Sequence, residues 1–110
     1  MQKFDYRCPR YSVDLPVRFT VQGSTLNGRC KDISHEGMRL ELRELPPSGA
    51  RGTVAVSYQG RTLEFSVRVA HPGNGGMEFL YESDGERKAV EQMVASVASS
   101  RGRLGPTLVS

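Results

Sequence analysis

Residues 62–70 read TLEFSVRVA. Leu63, Phe65, Val67 and Val69 recur at every second position, with Thr62, Glu64, Ser66 and Arg68 between them. A period of two is that of a β-strand with one buried face, and the β-branched and aromatic residues on that face suit a pleated surface. Just upstream, TVAVSY (53–58) and the turn residues QGR (59–61) complete a hairpin. Just downstream, HPGNGG (71–76) reads as a turn, and MEFLY (77–81) as a short strand with Met77, Phe79 and Tyr81 on one face.

The same grammar extends toward the N-terminus. VDLPVRFTV (13–21) places Val13, Leu15, Val17, Phe19 and Val21 on one face, with Pro16 on the other. A proline there suits an edge position or an irregular strand start. QGS makes a turn, a second strand spans Thr25 to Ile33, SHEG breaks it, and MRLELR (38–43) alternates again with Met38, Leu40 and Leu42 inward. LPPSGARG (45–52) is a loop by composition. Past residue 82 the period changes. Ser83 and Glu86 match a capping box, and Ala89, Val90, Met93, Val94 and Val97 recur at helical spacing. The expected helix runs from about Asp84 to Ala98, and residues 99–110 lack periodicity and are expected to form a disordered tail. The reading is mainly β: six short antiparallel strands closing a small barrel or sandwich, with one C-terminal helix packed on its end or side.

Bulk properties narrow the function. The 110 residues fit one domain, and 15 Lys and Arg against 12 Asp and Glu give a charge of +3, which permits an anionic partner without demanding nucleic acid. No apolar run approaches the ~18 residues of a membrane helix, and MQKFDYR has no apolar signal region, so a cytoplasmic protein without membrane insertion is expected. Cys8 and Cys30 show no zinc or disulfide spacing; they read as reduced thiols, Cys30 in the core and Cys8 exposed. Catalysis has little support. His71 sits in a turn, and Asp32, Ser34 and His35 are too close in sequence to build a nucleophilic relay. No phosphate loop, metal motif or resident cofactor is indicated. A small RNA-binding barrel is disfavoured because most of the four Phe and four Tyr take inward strand positions rather than forming a stacking platform.

KDISHEG (31–37) holds Asp32, Ser34 and Gly37 in the order D-x-S-x-x-G at a strand-to-strand junction. The bland explanation is a turn, with Asp and Ser bonding nearby backbone N–H groups and Gly supplying a positive φ. The company of the motif points further. An arginine pair, Arg7 and Arg10, precedes VDLPVRF; then come D-x-S-x-x-G, MRLEL, and GGMEF before a helix. This ordered series resembles the PilZ domain family over residues 6 to 98. The resemblance implies a six-stranded antiparallel barrel with residues 1–11 as a flexible clamp, 12–82 as barrel and 83–98 as helix, forming one domain of residues 1–98. It further implies a receptor for cyclic di-GMP that relays a signal to an effector protein.

The family motifs are RxxxR and [D/N]-x-S-x-x-G. Asp32, Ser34 and Gly37 match the second. Aligned on the following strand, Arg10 takes the second arginine of RxxxR, Tyr6 stands where the first would be, and Arg7 is one place late. In an extended segment before a proline, one residue of shift reverses a side chain's direction. Arginine forks suit phosphates and guanine edges, a carboxylate accepts guanine N–H groups, a small hydroxyl contacts without crowding, and glycine allows close approach. The implied ligand set is therefore Arg7, Arg10, Asp32, Ser34 and Gly37, with Tyr6 as a stacking substitute. Arg39, two residues past Gly37, is an additional candidate. Glu41, Arg43, Glu64 and Arg68 read as a solvated face of mixed sign. The alternative is a divergent member that has lost the nucleotide and acts as a protein–protein adaptor.

Overall fold

Each of the six alternating runs forms a strand. The computed structural model describes residues 9–44 and 46–109. The strands are β1 (Tyr11–Val21), β2 (Ser24–Ile33), β3 (Gly37–Leu42), β4 (Arg51–Tyr58), β5 (Arg61–His71) and β6 (Gly76–Phe79). A 3₁₀ turn at Pro72–Asn74 joins β5 to β6, and helix α1 spans Asp84–Val109. The strands close in the order β1-β2-β3-β6-β5-β4, each antiparallel to its neighbours. Closure leaves no continuous open edge, which is how a small all-β domain avoids pairing with other chains.

Two hairpins share one device. Gln22–Gly23 joins β1 to β2 and Gln59–Gly60 joins β4 to β5, with φ of 53° and 78° in the first pair and 53° and 77° in the second. Positive φ at both central residues is the hallmark of type I′ turns, whose twist matches that of the flanking strands. Pro16 lies inside β1 rather than at its start. Its missing N–H is tolerated because pairing of β1 with β4 begins only at Val17.

The inward faces are those expected from alternation. Phe19, Cys30, Val54, Val56, Phe65, Val67 and Val69 are fully buried. Phe65 and Phe79 meet edge to face, with ring centroids 5.5 Å apart. The sixth strand ends earlier than expected. It stops at Phe79, and Tyr81, at a φ of 55°, lies beyond the strand, half-buried with its ring against Phe79.

Helix α1 packs on β5 and β1. Val90, Met93, Val94 and Val97 bury at that contact, each worth roughly 1.5–3 kcal/mol relative to exposure. Its start is a capping box with one change. Glu86 N–H donates to Ser83 Oγ at 3.1 Å, while Glu86 Oε1 accepts from Glu82 N–H rather than from Ser83. The other carboxylate oxygen, Oε2, accepts from the Ser66 N–H at 3.0 Å and the Ser66 hydroxyl at 2.7 Å, tying the helix start to β5. Further along, Tyr58 and Ser96 share a hydroxyl–hydroxyl hydrogen bond of 2.7 Å. The apolar spacing ends near Ala98, but the helical backbone continues to Val109 through the segment expected as a tail. Once a helix is docked, each added residue gains a backbone bond at little nucleation cost.

Glu86→Ala is expected to destabilise the domain by about 1–3 kcal/mol, because it strips the cap and leaves the Ser66 N–H without its acceptor. The urea midpoint checks this; Ser66→Ala, which keeps the backbone donor paired, should cost less.

Candidate functional site

β2 carries one residue more than β3 beside it. Cys30 pairs with Leu40 and Asp32 with Arg39, so Lys31 is an extra residue and the register shifts there. Strict alternation would have put Asp32 on the inward face with Cys30. The bulge instead buries both Cys30 and Ile33 and turns Asp32 outward, opposite Arg39.

There Asp32 sits between two guanidinium groups. Arg10 Nη2 donates to Oδ1 at 2.6 Å and Arg39 Nε donates to Oδ2 at 3.0 Å. The carboxylate is 17% exposed and the arginines 47% and 44%. Each arginine uses one of its five N–H donors on Asp32, so both retain donors for another acceptor. Cys30, beneath this cluster, donates its thiol to the Asp32 carbonyl at 3.3 Å. Burial, aided by the nearby Asp32 charge, pushes the thiol pKa up to about 12.

Ser34 is fully buried. Its Oγ accepts from the N–H groups of Glu36 at 3.1 Å and Gly37 at 3.3 Å, and its own N–H donates to the Gly37 carbonyl at 2.9 Å. The hydroxyl thus folds the turn that follows Asp32. Gly37 does not have the positive φ expected of it. Glycine is required there for another reason: a Cβ would lie 2.0 Å from the Met77 carbonyl oxygen on β6. Close approach of two strands, not backbone handedness, selects this residue.

The turn borders a cleft of about 670 Å³, walled by the turn itself, the start of β3, the end of β5, and β6. That volume is within the usual range for small-molecule sites. Arg10 belongs both to the ion-pair cluster and to the cleft wall, whereas Asp32, Ser34 and Arg39 are not on that wall. The wall adds residues that the sequence pattern did not single out for binding: Arg68, His71, Glu78 and Tyr81. Arg68, read from alternation as part of a solvated face, donates Nε and Nη2 to Glu78 Oε1 at 3.1 and 2.6 Å. Nothing local in the sequence marks β5 and β6 as neighbours of the Ser34–Gly37 turn; only the strand order does. Tyr81 donates its hydroxyl to the His35 carbonyl, and the Arg87 guanidinium lies 4.3 Å from its ring centroid. Tyr6 and Arg7 lie outside the described residues.

Two consequences are measurable. Ser34→Ala should cost about 1–3 kcal/mol, since two backbone donors lose their acceptor, and should raise hydrogen exchange at Glu36 and Gly37 first. Cys30 should resist alkylation at neutral pH in the folded protein and react only in denaturant, because the thiolate is the nucleophile and burial suppresses it; peptide mapping reads this out.

No helix among the described residues is long and apolar enough to cross a membrane. No curated protein matches the sequence. Among solved structures, the PilZ domain of CeSA from a cellulose-synthesizing bacterium superposes with a TM-score of 0.71 at 17% identity, covering 82% of this chain and 98% of that one. The PilZ domain of YcgR from Escherichia coli, solved with c-di-GMP, superposes with a TM-score of 0.73 at 18% identity, covering 97% and 98%. These likenesses establish the shared barrel-and-helix fold. The family model for the PilZ domain matches residues 5–96, and the chain belongs to that family.

Proposed function

We propose that this domain is a cyclic di-GMP receptor that passes the signal to a partner protein. The PilZ family is one of regulatory receptors rather than enzymes, and the fold match to a domain solved with that nucleotide supports the reading. The observation that carries it is Arg10: Asp32 holds its guanidinium where it also walls a cleft of about 670 Å³. An arginine already oriented by a carboxylate loses little side-chain freedom when it meets a phosphate or a guanine edge. In this reading Arg10 and Arg39 contact the ligand with their remaining donors. Asp32 orients them, and Ser34 and Gly37 set the turn. Tyr6 and Arg7 complete the clamp from the N-terminal side.

One observation favours the adaptor alternative. Asp32 is already bonded by both arginines, and the Ser34 hydroxyl is consumed by the turn, so the motif has a structural occupation without any ligand.

Calorimetric titration with cyclic di-GMP separates the two. Binding in the micromolar range or tighter is expected, with Arg10→Ala weakening it by roughly tenfold or more, the worth of a charge-assisted bond. Absence of heat and of chemical-shift change at high micromolar ligand would sink the receptor reading. Arg7→Ala tests the shifted arginine: unchanged affinity would make it a bystander.

A further inference from the structure

The cleft holds a second charged pair, which belongs to neither family motif but lies beside Gly37. Glu78 on β6 and Arg68 on β5 are direct cross-strand partners, so both point outward from the same row of the sheet. The row continues to Gly37 on β3, which contributes no side chain, and to Arg51 on β4, whose like charge favours leaning Arg68 toward Glu78. Arg68 gives both of its bonds to one oxygen, Oε1, and among the described residues Glu78 Oε2 accepts none. Glu78 is 49% exposed and Arg68 39%, so the pair is open to solvent on the cleft side.

We propose that Glu78 and Arg68 read the edge of one guanine, and so make the cleft selective for the base as well as for the phosphates. This inference rests on the reading that the cleft takes cyclic di-GMP. Along its edge guanine presents the N2 amino donor, the N1–H donor and the O6 acceptor. The pair presents the complement in the same order: Oε2 and Oε1 as acceptors, then a remaining Arg68 N–H as donor. Adenine offers an acceptor where guanine offers N1–H and is refused. The step beside Glu78 left open by Gly37 gives the ring room to approach.

The test uses the full chain and two ligands that differ by one group per base: cyclic di-GMP and cyclic di-IMP, whose hypoxanthine lacks the N2 amino group. The wild type should prefer the guanine ligand by roughly tenfold. Glu78→Gln should weaken cyclic di-GMP binding and abolish the preference, with an unchanged melting temperature showing that this surface variant is folded. The inference is overturned if the wild type shows no preference, if the preference survives in Glu78→Gln, or if that variant binds both ligands more tightly, as loss of a merely repelling charge would predict. In each of those cases the receptor reading stands and only base reading by this pair fails. A wild type that binds neither ligand overturns both.

Discussion

One extra residue in β2 decides what this barrel can present to a ligand. Without the bulge at Lys31, Asp32 would share the inward face of Cys30 and would have to be buried as a charge or neutralised. With it, Cys30 and Ile33 both fill the core, and Asp32 emerges between Arg10 and Arg39. The cost is one unpaired position in the ladder. The gain is a carboxylate that draws two guanidinium groups together at the mouth of the Ser34–Gly37 turn. Bulges recur where the sheet must re-aim a side chain, and β1 shifts register between Ser12 and Leu15, beside the bulged part of β2.

The turn is in turn tied to the helix. Tyr81 takes a strained positive φ, donates its hydroxyl to the His35 carbonyl, and carries Arg87 of α1 on its ring. Glu86, the neighbouring helix residue, grips Ser66 on β5. The cleft wall and the start of α1 therefore share a single run of contacts. A strained backbone persists only when its surroundings over-determine it, and here three independent contacts do so. A change at the turn has a short physical route to the start of the helix.

Much of this was legible in the sequence because alternation is a local signal. The inward residues of β5, such as Phe65 and Val69, and the helical stripe from Val90 to Val97 lie where their spacing puts them. The Ser83–Glu86 cap could also be read from spacing alone. The D-x-S-x-x-G junction was visible, yet the physical job of each residue was not. Gly37 answers to the Met77 carbonyl across a strand pair, and no local pattern contains Met77.

The sequence by itself determined the number of strands, their buried faces, the helix start and the family motif, because each depends on residues a few positions apart. Only the tertiary structure decided which charges meet. Arg10, Asp32 and Arg39 converge because of a register shift, and Arg68 and Glu78 face the same cleft as Arg10 because β6 pairs between β3 and β5. A binding surface is assembled across strands, through pairings set by barrel closure. Its chemistry therefore belongs to the fold rather than to any one segment of the chain.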